Sequence, residues 1–345
     1  MQKIYRVCLG LFFSVSAFAD ITFLVPQKPG EGTSVWAQIV ATEMEKYLDE
    51  KITIRHVPGA RDIPGFNLFH NELQQDDTVV MVSHGGNAVA FLEEEVDYNY
   101  NQYDSVGMMN LNIIAGRLKG DDLSTVKFAA GSGMTPEGMA MTLLICGPNK
   151  TTDEYIACFK ENVVWVKGMS GGERRLAFKR KELNATRENP AAYKKHVQSN
   201  PDAELWFHHG ILQADGSHAD DPNYEGYQFE ILFEQKWGVK PSGELYDAYN
   251  LAKSFRDALQ KALWVRKGNP NLQRLRDALT QVATNPQSVE AIEKSVGRYE
   301  WVIGDDGNAM RDTLMTFINR PALETLVKFN RDALGLSTVL KENLL

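Results

Sequence analysis

Short apolar runs alternate with amphipathic segments along most of the chain. Ile21–Val25, Ile52–His56, Thr78–Val82, Val126–Ala130 and Val163–Val166 predict strands, each apolar enough to be buried in a sheet. Between them, Val35, Ile39, Val40, Met44 and Leu48 recur at helical spacing and predict a helix over 35–48. Further helices are predicted over 66–73, 88–92 and 173–179, with Thr33 or Ser34 as the N-cap of the first. Asn112–Ala115 reads as a short extended crossover and Leu205–Leu212 as a later strand. The stretch 214–228, rich in Asp, Gly, Asn and His, predicts a surface loop. Helix 244–262, strand 263–266 and helices 272–283, 286–296 and 312–334 follow. This alternation predicts an α/β fold of two lobes, each a mostly parallel sheet flanked by helices, with a ligand cleft between them. The absence of a linker predicts that the chain crosses between lobes and returns: 20–115 with 262–345 in one lobe, 116–261 in the other.

The first nineteen residues belong to a different pattern. Lys3 and Arg6 precede the apolar run Val7–Val15, and Ala17-Phe18-Ala19 is a small-x-small cleavage site, so 1–19 is expected to be a signal peptide. An uncleaved anchor is the alternative, although the apolar run is short of the ~20 residues that span a bilayer. The chain of 345 residues has a formal charge of −8, made two units more negative by loss of Lys3 and Arg6. That balance argues against a nucleic-acid binder. Cys146 and Cys158 remain in the mature chain; an exported protein could bridge them or leave two free thiols, and spacing alone leaves both open.

Four loops follow predicted strands and open predicted helices: Gly30–Ser34, Ser83–Asn87, Gly131–Thr135 and Gly168–Gly172. Glycine permits close backbone approach, and helix N-termini offer N–H donors and a positive field, so such loops suit a small anion. The candidate ligand residues are Gly30, Gly32, Thr33, Ser34, Ser83, His84, Gly85, Asn87, Ser132, Gly133, Thr135, Lys167, Gly168 and Ser170. Taken singly, each loop is explained as well by ordinary helix capping; the four together favour a cleft. Lys28 and Arg187 are further candidates for direct contact with an anion, and Trp36 and Met134 for the cleft wall or the core. His208 and His209 are adjacent on a predicted strand and face opposite ways, which disfavours a shared metal. His218, Asp220 and Asp221 lack a regular ligand spacing, and Arg174-Arg175 with Lys179-Arg180-Lys181 forms a basic helix face. GxSxG, HExxH, P-loop and complete GxGxxG patterns are all absent, so no enzyme activity and no cofactor are expected.

The order of these loops resembles the solute-binding proteins of tripartite tricarboxylate transporters. The residues that carry it are Val25-Pro26 through Thr33, Pro58-Gly59-Ala60 with Gly65, Ser83–Asn87, Ala130–Gly133, Val166–Gly168 and the return segment Trp264–Pro270. The resemblance runs from about Asp20 to about Gly307. It implies a monomeric periplasmic protein that closes on a small organic carboxylate and delivers it to membrane permease subunits. A secreted protein that kept the scaffold for another binding or structural role is the alternative, and a hydrolase on the same fold a third. Two departures stand out: Glu31 interrupts the glycines of the first loop, and Ser34 stands where the family carries an acidic residue.

Overall fold

The computed structural model describes residues 20–59, 63–85, 96, 98, 100–131, 136–297 and 299–340. The leader therefore lies outside the described residues, as do helix 88–92 and the candidates Asn87, Ser132, Gly133 and Thr135.

In chain order the elements are β1 (Ile21–Val25), α1 (Gly32–Met44), β2 (Ile52–His56), α2 (Ile63–Leu68), β3 (Val79–Ser83), β4 (Tyr103–Asn110), β5 (Ile114–Leu118) and β6 (Val126–Ala129). Then come α3 (Glu137–Cys146), α4 (Thr152–Asn162), β7 (Val163–Val166), α5 (Gly171–Lys179), β8 (Ala185–Glu188), α6 (Pro190–Tyr193), β9 (Ala203–His208), β10 (Ile211–Leu212) and β11 (His218–Ala219). The chain ends with α7 (Phe229–Trp237), α8 (Glu244–Leu259), β12 (Ala262–Arg266), α9 (Leu272–Thr284), α10 (Pro286–Val296), β13 (Glu300–Ile303), α11 (Asp305–Thr316) and α12 (Arg320–Asp332).

The first sheet has the order β13-β4-β12-β3-β1-β2. Strands β1, β2 and β3 are parallel, and β12 is antiparallel to both β3 and β4, so four of the six strands share one direction. Side chains alternate in direction along the strands, so the central ones, β1, β3 and β12, present apolar residues to both faces. Phe23, Val25, Val80, Val82, Leu263 and Val265 face one way, against Trp36, Val40 and Met44 of α1 and Leu275 and Leu279 of α9. Leu24, Met81 and Trp264 face the other, toward Phe66, Phe69, Tyr100 and α8.

The second half repeats the plan. Strand β5 pairs with β8 and β9, and β6 pairs in parallel with β7. Asn184, just before β8, joins the two pieces: its N–H donates to Lys127 O at 3.2 Å and its Oδ1 accepts from Lys127 N at 2.6 Å. The spatial order is thus β7-β6-β8-β5-β9, the counterpart of β2-β1-β3-β12-β4. In both, the fourth strand of that order, β5 or β12, arrives from the other half.

Helix α8 is the strut between the halves. Twelve of its sixteen residues are buried, and it packs on β4 of the first sheet and on α3 and α12. Helix α12 also packs on α4, with Lys328 paired to Asp153 at 2.7 Å and Phe329 edge-on to Phe159. The C-terminal helix therefore lies against the second half, whereas the sequence assigns everything after 262 to the first. Likewise the first crossover falls at 111–113, since Ile114 and Ala115 already pair with β8.

Other differences have local causes. Helix α1 begins at Gly32 with Glu31 at the N-cap, because Gln27 Oε1 accepts from Thr33 N at 3.0 Å and takes the capping role. Strands β4, β8 and β13 and helices α4 and α7 were not legible as runs. The predicted helix 312–334 breaks at Phe317–Asn319, where Asn319 caps α12 ahead of Pro321. Within the 214–228 loop, β11 forms a two-residue hairpin arm against β10. Cys146 and Cys158 form a disulfide tying the end of α3 to α4, with Cα atoms 6.3 Å apart.

Candidate functional site

The last turn of α8 and the residues after it gather three of the predicted loops. Arg256, buried, donates from Nη1 to both oxygens of Glu137 at 2.7 and 2.8 Å. Its aliphatic stem lies against Gly85: a Cβ there would stand 3.3 Å from Arg256 Cγ and 3.2 Å from Gln260 Cγ. One arginine thus spans from the loop after β3, in the first sheet, to the helix start after β6, in the second. Lys261, also buried, donates to Gly32 O at 3.4 Å and stands 5.8 Å above the Trp36 ring. Burial pushes the Lys261 amine down to about 7.

Around Glu137 the polar groups are dense. Its carboxylate sits on the N-terminus of its own helix, with Arg187 Nε at 3.5 Å and His209 Nε2 at 4.0 Å. His209 is held by Asp257, Nδ1 to Oδ2 at 2.7 Å, and its Nε2 has no hydrogen-bond partner among the described residues. Burial alone would raise the Glu137 acid, but Arg256, Arg187 and His209 outweigh it and hold it at about 2. Burial, reinforced by Arg256, brings Arg187 down to about 9 despite Glu137 beside it. Behind this group Arg174 donates to Arg187 O at 3.1 Å, and Arg175 clamps Glu188 with bonds of 3.1 and 2.8 Å.

The predicted residues divide. Thr33 is buried and its hydroxyl lacks a partner among the described residues. Ser34 is engaged by His56, Oγ to Nε2 at 2.8 Å. Gly30 and Gly32 are exposed at the mouth of α1, and Gly30 adopts φ +84°, a conformation that favours glycine. Ser83 is locked in the core: its hydroxyl donates to Leu259 O at 2.5 Å and accepts from Trp264 Nε1 at 3.1 Å. His84 is half-buried beside it. In the fourth loop the ordinary capping roles prevail. Ser170 Oγ accepts from Glu173 N while Glu173 bonds back to Ser170 N, a capping box. Lys167 is exposed and donates to Gly335 O at 3.2 Å, beyond α12, and Gly168 supplies the turn with φ +83°. That loop still touches the third through Met169 N to Ala130 O at 3.1 Å.

Reasoning from sequence missed Glu137, Arg256, Asp257 and His209 as site residues. The available signal was Lys253, Arg256, Asp257 and Gln260 at i, i+3, i+4 and i+7 on a helix otherwise carrying buried apolar residues. Trp36 is core. His208 pairs with Asp220 at 2.9 Å, Asp221 accepts from Asn112 at 2.8 Å and His218 contacts Ser254 at 3.2 Å, so these groups have separate partners. Among the described residues no group of three or more His, Cys, Asp or Glu side chains is placed to hold a metal. A separate hollow of about 410 Å³ opens between Leu144, Leu205, Trp206 and Leu232, with none of the loop residues in its wall.

No protein-family model matches the chain, and no curated protein matches it. Solved structures do resemble it. The periplasmic binding protein BugD aligns with TM-score 0.56 at 12% identity, covering 91% of this chain and 97% of its own. MatC from Rhodopseudomonas palustris with bound malate aligns with TM-score 0.56 at 13% identity, covering 89% and 98%. Rpa4515 of R. palustris with adipate gives 0.56 at 9% identity, covering 93% and 98%. The fold is therefore the two-lobed α/β architecture of periplasmic solute-binding proteins. Within that class, the chain is similar in fold to BugD and MatC over nearly its full described length.

Proposed function

We propose that this chain is an exported solute-binding protein that captures a small organic carboxylate between two lobes and hands it to membrane permease subunits. The observation that carries the reading is Arg256, which lies between the strand-end loops of the two sheets and touches both. Ligands of open α/β sheets sit at such strand ends. The buried, unpartnered hydroxyl of Thr33 at the start of α1 adds a hydrogen-bond group on the first-sheet side. Two structural neighbours carry dicarboxylates, malate and adipate. The lobes would be the two sheets with their helices, hinged at 111–113 and at Gln260–Lys261. There the N–H groups of Leu111 and Met109 bond to Asp257 O and Lys261 O. Loops Gly30–Ser34 and Ser83–Asn87 would face Gly131–Thr135 and Gly168–Gly172.

A binder gains stability by mass action. The mature protein, residues 20–345, should melt higher in millimolar concentrations of its carboxylate, by an amount that grows with ligand concentration. A flat melting temperature across mono-, di-, tri- and hydroxycarboxylates would overturn the reading.

A further inference from the structure

The anion position on the second-sheet side is filled by the protein itself. A helix N-terminus, Arg187, Arg256 and the unpartnered Nε2 of His209 converge on one point, and the carboxylate found there is Glu137. We propose that Glu137 is a specificity-determining residue: it stands in for one carboxylate of a diacid, so that the cleft takes a monocarboxylate whose far end is uncharged and hydrogen-bonding. This rests on the carboxylate-binding reading above.

Charge and tethering support it. Two guanidiniums, Arg187 and Arg256, meet the Glu137 carboxylate, which takes both short contacts of Arg256. A second ligand carboxylate would have to enter beside Glu137, whose own charge opposes it. An ammonium end would face the guanidiniums. Arg174 and Arg175 offer no substitute, because both are turned to the buried Glu188. Nor would a free acid displace Glu137, since a tethered group competes at an effective concentration on the order of millimolar. His209 Nε2 and Arg187 Nε can still meet a hydroxyl or carbonyl, which explains their lack of hydrogen bonds. The ligand's one carboxylate then belongs to the other side, by Thr33 and the α1 N-terminus.

The test is calorimetric titration of the mature protein with acids matched in length: 4-hydroxybutyrate against succinate and 6-hydroxyhexanoate against adipate. The wild type should bind the hydroxy acid at least tenfold tighter in the pair that fits. Glu137→Gln, which frees the two guanidiniums, should shift that ratio at least tenfold toward the diacid, and Glu137→Asp should fall between. A wild type that prefers the diacid overturns the proposal without any variant, and so does an unchanged ratio in a folded Glu137→Gln protein. Those results leave carboxylate binding intact. Binding of none of the four acids by the wild type overturns the carboxylate reading and this inference with it.

Discussion

Helices α1 and α3 begin at equivalent places in the two halves. Each follows the strand that lies second from the edge of its sheet and opens after a glycine-bearing loop. They differ in what occupies their N-termini. At α1, Gln27 caps the backbone from outside, the first turn buries Thr33, and its hydroxyl is left without a partner. At α3, the first helical residue is Glu137, and its carboxylate folds back among two arginines and a histidine. A duplicated backbone plan can therefore hold one open polar position and one self-neutralised position. Strand order cannot tell them apart; one side chain does.

The largest test of this contrast removes the cation. Arg256→Met leaves Glu137 buried without its main partner and should cost about 3–5 kcal/mol in urea unfolding. Adding Glu137→Gln to that variant should recover most of the loss. If the single replacement costs under 1 kcal/mol, the two helix starts are not electrostatically different. Acid gives the next effect. Glu137 is held at about 2 when folded against an ordinary carboxylate value near 4.3, so the folded state binds fewer protons between these limits. Its contribution is complete above pH ~4.3 and is lost as pH falls toward 2, about 3 kcal/mol in all. Glu137→Gln should flatten that part of the urea-midpoint profile, while Thr33→Val should leave it unchanged.

Breaking the disulfide probes the α3 side alone. Paired Cys146→Ala and Cys158→Ala replacements should cost about 2–3 kcal/mol of stability and leave ligand affinity within twofold. The smallest effect separates capping from binding. Ser170→Ala removes the α5 capping box and should cost about 1 kcal/mol with unchanged affinity. Thr33→Val should do the reverse, weakening ligand binding several-fold with little change in melting temperature.

Much of the architecture was legible in the pattern of apolar runs. Strands β1, β2 and β7 and helix α10 match it residue for residue, because each is either a short run opening on β-branched residues or a helix with Pro at its first position. Strands β4, β8 and β13 escaped notice: β4 carries Asp104, Ser105 and Asn110 and β8 carries Thr186, Arg187 and Glu188, polar residues placed by tertiary contacts. The candidate loops were legible as backbone devices, since Gly30 and Gly168 announce their turns. Their side-chain roles were not. Ser83 and Ser170 look identical in sequence to ligand hydroxyls, yet one is tied to Leu259 and Trp264 and the other to Glu173. Arg256 lies more than a hundred residues from Glu137, and nothing local announces that pair.

Lys261 gives the seam between the halves a chemical identity of its own. An amine pushed down to about 7 is largely uncharged at pH 8, and an uncharged amine is a nucleophile. Against the wall of Trp36 and Gly32 it is sealed from reagents. Acylation at Lys261 would therefore be slow in a closed molecule and fast in an open one. Its modification would report any motion that lifts it from the start of α1.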